Sequence, residues 1–331
     1  MSKWKSYTPE GVQDQLFESC LMKRNLESTL RDFFRECEYR EIETPVLEFY
    51  DTYASDKGII DQESMFKLVD QRGRLLVLRP DMTVPVARAI ATKMKNYELP
   101  IKCFYIGDCF SFNESGGGRL REYTQAGIEF VGAQGAKADA ECIVMAIVAL
   151  QNSGIKEFQI DLGQVEFFKG LMDEAGLETD EMEEVRKLID SKDLIGLERV
   201  LDGRKMRGDV KELILNLPAQ FGSFEIIEKL LKMGLNERCK NALMNLWEIN
   251  SIVEKAGYGQ FVSIDLGFVQ SLDYYSGLIF KGFTYDVGFP ILTGGRYDDL
   301  VGEFGYHVPA TGFSLGINML MMAKMSQEVS K

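Results

Sequence analysis

The sequence predicts an α+β fold, in which an antiparallel sheet is flanked by helices and interrupted by a helical insertion. Two long strand patterns, 101–112 and 120–131, enclose a glycine-rich segment, as the two strands of a hairpin do. A run of amphipathic helices then fills about 167–256, and strand patterns return after it. Because hairpins join the long strands, a parallel, doubly wound sheet is disfavoured.

The remaining elements follow in chain order. Apolar residues at helical spacing indicate helices at 18–37, from about 84, at 138–151 and at about 313–325. Shorter alternating or apolar runs indicate further strands at 41–46, 75–78, 158–162, 261–266, 278–280 and 284–287. We therefore place the core at 1–165 and 256–331, and the helical insertion at 166–255.

The composition is that of an acidic globular protein. Of the 331 residues, 45% are hydrophobic and 27% are charged. The 38 Lys and Arg residues are outnumbered by 51 Asp and Glu residues, which gives a net charge of -13. Because binding to a phosphate backbone needs clustered Lys and Arg, this balance argues against broad contact with nucleic acid.

The cysteines and the single histidine indicate neither a metal site nor a catalytic triad. None of the six cysteines forms a CxxC pair, so we interpret them as free thiols of a reducing, cytoplasmic compartment. No carboxylate or cysteine spacing around His307 suggests metal ligation, and no nucleophile elbow is present. The longest apolar run, 143–150, is too short to span a bilayer.

The strand pattern at 123–130 carries the most informative polar side chains. Because side chains alternate across a strand, one face is apolar. That face consists of Ala126, Ile128 and Phe130. Gln125 and Glu129 share the other face, and Gly127 between them leaves space for a ligand. Glu129 can accept a hydrogen bond from an N–H group. A solvated outer face with a bulge glycine is the alternative interpretation.

Two further motifs combine aromatic rings with charged groups. Asp273-Tyr274-Tyr275 lies on or beside a strand, so one tyrosine can reach a pocket while its neighbour packs. Aromatic core filling is the alternative. The glycines of Gly294-Gly295-Arg296-Tyr297-Asp298 allow close backbone approach. Arg296 and Asp298 of this motif either contribute to a site or simply pair with each other.

Together these motifs resemble the catalytic core of histidyl-tRNA synthetase, in the correct order and over nearly the whole chain. The matching segments are 9–14, 78–83, 104–132, 272–275, 294–298 and 309–316. The resemblance implies a class II aminoacyl-tRNA synthetase-like antiparallel sheet flanked by helices. It also places the helical insertion where the synthetase carries its own.

The resemblance further implies a pocket for histidine. Its residues would be Asp81, Thr83, Gln125, Glu129, Tyr274, Tyr275 and Tyr297. Asp81 stands where the synthetase has the glutamate that meets the α-amino group. Glu129 and Tyr275 match the residues that contact the imidazole. The chemistry agrees, because a carboxylate suits an ammonium group and acceptors suit ring N–H groups.

Three positions that hold arginines around ATP in the synthetase differ in this chain. They are Ser111, Gln270 and Met319. A charged hydrogen bond contributes roughly 1.5–3 kcal/mol, and adenylation needs fixed positive charge at the phosphoryl oxygens. The chain also ends soon after Met325, where a synthetase would continue into an anticodon-binding domain. We therefore expect no catalytic residues, no cofactor and no metal.

These departures resemble a family paralogous to the synthetase, the regulatory subunits of ATP phosphoribosyltransferase. That resemblance implies a noncatalytic subunit for the first step of histidine biosynthesis, with histidine as ligand and a short catalytic subunit as partner. It implies activation and feedback inhibition of that partner, and a homodimer across 18–46 within a hetero-octamer, without tRNA or membrane contact. A truncated synthetase that activates an amino acid, and a scaffold without a ligand, remain as alternatives.

Overall fold

A nine-stranded sheet forms the centre of the protein, which the computed structural model describes over residues 3–54, 60–112, 120–269 and 275–329. A three-stranded sheet accompanies it. The strands of these residues are β1 (Arg40–Glu41), β2 (Leu47–Phe49), β3 (Lys67–Val69), β4 (Leu75–Leu78), β5 (Ile101–Phe110), β6 (Glu122–Val131), β7 (Phe158–Gln164), β8 (Phe221–Gly222), β9 (Val262–Asp265), β10 (Leu278–Thr284), β11 (Leu292–Arg296) and β12 (Ala310–Gly316).

Helices flank the large sheet, as predicted. Those in the described part of the chain are α1 (Phe17–Glu36), α2 (Thr83–Lys93), α3 (Gly135–Asn152), α4 (Val165–Ala175), α5 (Thr179–Asp190), α6 (Leu194–Leu201), α7 (Gly208–Asn216), α8 (Glu225–Leu231), α9 (Glu237–Lys255), α10 (Leu300–Glu303) and α11 (Ile317–Val329). The predicted helices at 18–37, from 84 and at 138–151 are confirmed by α1, α2 and α3.

The large sheet is predominantly antiparallel. Its strand order is β1-β5-β6-β12-β11-β10-β7-β9-β8, and only the β1–β5 and β7–β9 pairs among these strands are parallel. Strands β5 and β6 pair along their whole length, from Ile101 opposite Val131 to Phe110 opposite Glu122. The predicted α+β class is confirmed, and the tip of this hairpin, 113–119, lies outside the described residues.

One face of the sheet is apolar and packs beneath α1 and α3. Ile128 and Phe104 are directly opposite each other on β6 and β5, and both are fully buried. The Phe34 ring of α1 lies 5.5 Å from the Phe104 ring and 6.2 Å from the Phe313 ring of β12. The apolar side chains of β6 therefore lie on this face, as the alternation in the sequence predicted. The polar side chains of β6 lie on the opposite face.

The opposite face carries α2 and the three-stranded sheet, whose order is β2-β4-β3. Val77 of β4 and Val84 of α2 are fully buried in the same cluster as Tyr105 of β5. The α2 helix begins at Thr83, close to the predicted start at about 84. The start of α2 consequently lies over the polar side of β5 and β6.

Two predicted elements are wrong in their extent. The strand expected at 41–46 is only Arg40–Glu41, because Pro45 has no N–H to donate and the Thr44 carbonyl instead accepts from Arg79 Nη1 at 2.6 Å. The helix expected from 313 begins at 317, because residues 310–316 form the central strand β12. There Phe313 pairs with Ile128, and Gly312 pairs with Glu129.

Smaller differences concern strand ends. The strand expected at 278–280 extends to Thr284 as β10, which pairs with β7 along its length, whereas residues 285–287 of the strand expected at 284–287 lie in a turn and loop. The 294–298 motif spans the end of a strand, because its first three residues end β11 and Tyr297 and Asp298 follow it. Strand β10 continues through 281–283 because its pairing with β7 continues there, although these side chains give no strand pattern.

The segment 166–255 is helical in the structure, apart from β8. At its entrance the Gln164 side chain accepts from the Glu166 N–H and caps α4, which ends at Gly176 with φ 68°. The buried side chains of α4 to α9 join the same core as the sheet, and β8 pairs with β9 at its edge. The division into a core and a separate insertion stays a prediction.

Candidate functional site

A row of small residues forms the floor of a cavity on the polar face of the large sheet. On β6, Gln125, Gly127 and Glu129 point to this face. Gly312 of β12 lies opposite Glu129, and Ser314 lies opposite Gly127. Because these neighbours have little or no side chain, the sheet is open here while its other face is filled.

The cavity has a volume of about 190 Å³. We call it the carboxylate cavity; it is lined by Ile60, Asp81, Thr83, Gln125, Glu129, Tyr275, Thr293, Gly294, Tyr297, Gly312, Phe313 and Ser314. These residues come from β6, β11, β12, the start of α2 and the loops beside them. Six of the seven predicted site residues thus converge, and the seventh, Tyr274, lies outside the described residues.

Asp81 lies at the start of α2, at one end of the carboxylate cavity. Its Oδ2 accepts a long hydrogen bond from Val84 N at 3.4 Å, so the helix amides hold the side chain in place. Its Oδ1 is inaccessible to solvent and has no hydrogen-bond partner among the described residues. Burial raises the pKa of Asp81 to about 7, although the amides of Val84 and Thr83 oppose the change.

Glu129 is the second carboxylate, and only 2% of its surface is exposed. Its Oε2 accepts a hydrogen bond from the Tyr297 hydroxyl, and its Oε1 has no partner among the described residues. Burial raises its pKa to about 8, against the hydroxyls of Tyr297 and Thr83. This burial excludes the solvated outer face that was the alternative for β6.

The two free carboxylate oxygens define what the carboxylate cavity can bind. No Lys or Arg is among the described residues that line it. Asp81 also raises the pKa of Glu129, because two buried negative charges repel each other. The cavity therefore favours a ligand that brings positive charge or N–H donors to both carboxylates.

Gln125 and the Gly312 backbone complete the wall around these carboxylates. Gln125 Oε1 accepts from Met82 N at 3.1 Å, which ties β6 to the start of α2. A Cβ atom on Gly312 would collide with Glu129 Oε2 and with the Ile128 carbonyl oxygen. Glycine at 312 is therefore what lets the Glu129 carboxylate lie across β12.

The sequence alone did not reveal one residue that supports the site, Tyr105 of β5. It lies directly opposite Gly127 in the β5–β6 pair and is fully buried. Its hydroxyl is 3.5 Å from Thr83 Oγ1. The signal was the glycine itself, because an aromatic residue across from a strand glycine packs over it, but the pairing register was needed to find which one.

A neighbouring cavity of about 210 Å³ shares Gln125, Thr293 and Ser314 with the carboxylate cavity. We call it the neighbouring cavity; its other lining residues are Leu120, Tyr123, Phe289, Pro290, Ile291, Leu292, Gly316, Asn318 and Met319. None of these described residues carries a positive charge. Met319 thus faces this cavity, Ser111 is buried outside its lining, and Gln270 lies outside the described residues.

Arg296 and Asp298 have a structural role. Arg296 Nη1 donates to Asp298 Oδ1 at 3.0 Å, as one of the sequence alternatives proposed. The guanidinium also donates through Nε to Asp139 of α3, at 3.0 and 3.2 Å. Asp139 is 1% exposed and Arg296 is 7% exposed. This buried ion pair holds the strand end that carries Tyr297.

The described residues contain neither disulfides nor a metal cluster. The six cysteines are free thiols, and His307 is exposed in the loop before β12. No group of three or more His, Cys, Asp or Glu side chains in these ranges could hold a metal ion. Likewise, none of the helices described is long and apolar enough to cross a bilayer.

Comparisons with known proteins identify relatives that are similar to this chain in sequence and in fold. It matches the family model described as histidyl-tRNA synthetase over residues 11–320. An ATP phosphoribosyltransferase regulatory subunit from Acetivibrio thermocellus is 54% identical over 329 residues, which are 99% of this chain and 79% of that protein. Another, from Ruminiclostridium cellulolyticum, is 51% identical over 98% of this chain and 77% of its own length.

A solved structure agrees with these sequence relatives. An ATP phosphoribosyltransferase regulatory subunit/histidyl-tRNA synthetase from Bacillus halodurans has a TM-score of 0.89 and 31% identity, and the match covers 97% of this chain and 83% of that one. The architecture is that of class II aminoacyl-tRNA synthetases. The chain belongs to the family of ATP phosphoribosyltransferase regulatory subunits, which is paralogous to histidyl-tRNA synthetase.

Proposed function

We propose that this protein is the noncatalytic, histidine-sensing subunit of a hetero-oligomeric ATP phosphoribosyltransferase in the cytoplasm. Histidine binds in the carboxylate cavity. Its presence there makes the complex with a short catalytic subunit less active, which gives feedback inhibition at the first step of histidine biosynthesis. Without histidine, the subunit supports the activity of its partner. The names of the relatives support the regulatory role.

One observation carries the choice of ligand: both carboxylates of the carboxylate cavity have an oxygen without a partner among the described residues. The ammonium group of histidine suits Asp81, and a ring N–H suits Glu129. Each charge-assisted hydrogen bond contributes roughly 1.5–3 kcal/mol. The hydroxyls of Thr83, Tyr275 and Tyr297 lie around the same space and would orient the ligand without adding charge.

The lining of the neighbouring cavity supports a role without catalysis. Adenylation would place ATP phosphates next to the bound amino acid, where the transition state needs fixed cations. The described lining offers amides, hydroxyls and apolar side chains, including Met319, but no Lys or Arg. A cavity of this kind can border a bound amino acid but does not stabilise a phosphoryl group.

We expect calorimetry to show saturable binding of histidine to the isolated protein or to its complex. Alanine, which lacks the ring, and imidazole, which lacks the ammonium and carboxylate groups, should each bind at least tenfold more weakly, because each engages only one carboxylate. Absence of saturable binding at millimolar histidine, alone and with the catalytic subunit, would contradict the proposal.

A truncated synthetase is the second candidate, favoured only by the retained amino-acid cavity. It predicts histidine-dependent exchange of pyrophosphate into ATP. The proposed sensor should show none above a protein-free control, with a full-length histidyl-tRNA synthetase as the positive control. Exchange that depends on histidine would replace the regulatory function with a catalytic one.

Regulation requires that histidine favours one state of the complex over the other. Coupling between two sites typically amounts to about 1–3 kcal/mol. The carboxylate cavity is built from the start of α2 on one side and from β6, β11 and β12 on the other. A ligand that bridges Asp81 and Glu129 would therefore draw α2 toward the sheet. This movement would change the protein surface around α2.

We further propose that the protein forms a homodimer, through residues 18–46 and the outer face of the three-stranded sheet that follows them. The register places five apolar side chains on this face, Leu47, Phe49, Leu68, Leu76 and Leu78. Three of them are exposed by 43% or more. Val46, also exposed, connects this face directly to the predicted interface. Such a face is costly to leave in water.

Leu68→Asp is expected to convert the dimer to a monomer, because the carboxylate would be buried without a partner in the interface. Size-exclusion chromatography with light scattering measures the mass, which is 37.5 kDa for one chain. Phe221→Asp is the control, since Phe221 is 70% exposed on the distant edge strand β8. A wild-type monomer at micromolar concentration would contradict the proposed dimer.

A further inference from the structure

We propose that Tyr105 is a positioning residue for histidine recognition, acting through Thr83 and Glu129 without touching the ligand. This inference rests on the proposed histidine site and assigns a role to a residue outside the lining of the carboxylate cavity. It concerns the wall behind that cavity, where the buried Tyr105 hydroxyl lies 3.5 Å from Thr83 Oγ1 and on the same face of the sheet as Glu129.

The position of Tyr105 follows from the pairing of β5 with β6. Its Cα partner is Gly127, and Cys103 two residues earlier pairs with Glu129. The Tyr105 side chain therefore stands on the same face as Gly127 and Glu129, between the sheet and α2. The hydroxyl reaches to 3.5 Å from Thr83 Oγ1 on α2. Tyr105 thus lies outside the lining of the carboxylate cavity, where it connects the α2 side of the cavity with the sheet side.

Gly127 makes this placement possible. A Cβ atom at 127 would lie 2.7 Å from the Tyr105 hydroxyl oxygen and 2.8 Å from Cζ, and it would also collide with the Phe313 carbonyl oxygen. The glycine therefore accommodates the phenol, whereas the sequence pattern alone suggested space for a ligand. Tyr105 fills this space and its hydroxyl ends beside Thr83. This placement is more specific than that of an aromatic ring that only fills the core.

The hydroxyl of Tyr105 acts on the ionisation of Glu129. The Tyr105 hydroxyl lowers the pKa of Glu129, as the hydroxyls of Tyr297 and Thr83 also do, and so opposes the larger effect of burial. A second-layer donor of this kind both orients a carboxylate and stabilises its charged form. The free oxygen of Glu129 is then held toward the cavity as an acceptor for a ring N–H.

Six titratable groups of the described residues surround Glu129. They are Asp81 on the α2 side, Cys103 and Tyr105 on β5, Cys142 on α3, Tyr297 after β11, and Tyr275 before β10. Burial raises the pKa of Cys142 well above its ordinary value. Burial raises the pKa of Cys103, Tyr105 and Tyr275 far above neutrality. Asp81, with a pKa of about 7, is the group that titrates together with Glu129.

Tyr105→Phe tests the inference, because it removes one oxygen and keeps the ring. Two quantities are measured from pH 6.5 to well above the Glu129 pKa of about 8: the histidine dissociation constant by calorimetry, and the unfolding free energy of the empty protein. We expect histidine to bind about tenfold more weakly. As the pH rises, the empty protein loses stability until Glu129 is fully ionised. We expect this loss to end at a higher pH in the variant, because Glu129 loses a donor that lowers its pKa.

Tyr39→Phe is the matched control, since Tyr39 is similarly buried, on the helix side of the sheet, and its hydroxyl meets Glu141 at 3.4 Å. It should change neither quantity. Unchanged histidine binding by the Tyr105 variant, or weaker binding at every pH without an upward shift of the stability profile, would overturn the positioning role. If wild type binds no histidine, the proposed function fails instead, and the stability profile still reports whether Tyr105 acts on Glu129.

Discussion

Glu129→Gln is expected to weaken histidine binding by about 10- to 150-fold while making the empty protein more stable at pH 8. The binding loss follows from replacing a charged acceptor by a neutral one, at about 1.5–3 kcal/mol. The gain in stability follows from removing a carboxylate that is 2% exposed and has no compensating cation in the described lining. The two changes in opposite directions distinguish a binding residue from a structural one.

The sign of the pH effect follows from the raised pKa. Glu129 has a pKa of about 8 in the folded protein, against an ordinary value of 4.5. The folded state therefore holds its proton more tightly, and stability falls as pH rises from about 4.5 to about 8. Above pH 8 the full cost of the buried charge remains. The glutamine variant lacks this loss, so its advantage is absent near pH 4.5 and largest at pH 8.

The expected gain at pH 8 is about 1–3 kcal/mol. A shift from 4.5 to about 8 sets an upper limit near 5 kcal/mol, at about 1.36 kcal/mol per pKa unit. The real gain is smaller because the glutamine amide also needs a partner in the same place. Some pH dependence persists in the variant, since Asp81 with its pKa of about 7 loses stability over the same range.

Urea unfolding at pH 5 and pH 8, with and without histidine, measures these changes. Histidine should stabilise wild type at pH 8 and should have little effect on the variant. Glu122→Gln is the control, because Glu122 is an exposed carboxylate on the same strand, β6. Equal histidine affinity in Glu129→Gln and wild type would remove Glu129 from the site, whatever its effect on stability.

The alternation in β6 made half of this site predictable from sequence. A strand with apolar residues at 126, 128 and 130 has to turn Gln125 and Glu129 to the other face. The sequence did not say whether that face is solvated, because burial depends on what covers it. The structure supplies the cover, which is the start of α2 at Asp81 and the tyrosines at 275 and 297.

The errors in the predicted fold arise where strands from distant segments pair with each other. Residues 313–325 have apolar side chains at helical spacing, yet the first of them belong to β12 because the neighbouring strands β6 and β11 provide its hydrogen bonds. Pairing between distant segments overrides a local pattern of that kind. Tyr105 was missed for a related reason, since the partner of Gly127 depends on a register that only the paired strands define.

The Arg296–Asp139 pair could not be predicted from spacing, because 157 positions separate the two residues. The sequence offered only the local pair of Arg296 with Asp298. In the structure the guanidinium has three acceptors, Asp139, Asp298 and the Ala133 carbonyl at 3.2 Å. The role of the arginine in this motif is therefore to fix β11 to α3, next to the tyrosine that holds Glu129.

Asp139→Ala is consequently expected to destabilise the fold by about 3–5 kcal/mol, the usual cost of removing one partner from a buried ion pair. Arg296 Nη2 lies 2.8 Å from Asp139 Oδ1, and both side chains are at least nine-tenths buried. Without the aspartate, the buried guanidinium keeps its charge and retains only Asp298 and the Ala133 carbonyl as acceptors. Urea unfolding of the empty protein at pH 7 measures the loss.

The control for this prediction lies on the same helix. Glu141 pairs with Lys102 at 2.6 Å, but its side chain is 38% exposed. Glu141→Ala should therefore cost at most about 1 kcal/mol. The double variant Asp139→Leu with Arg296→Met should recover much of the lost stability, because an apolar pair of similar volume avoids the buried charge. A cost for Asp139→Ala as small as for Glu141→Ala would mean that water reaches Arg296. The anchoring of β11, and with it the placement of Tyr297 against Glu129, would then need another explanation.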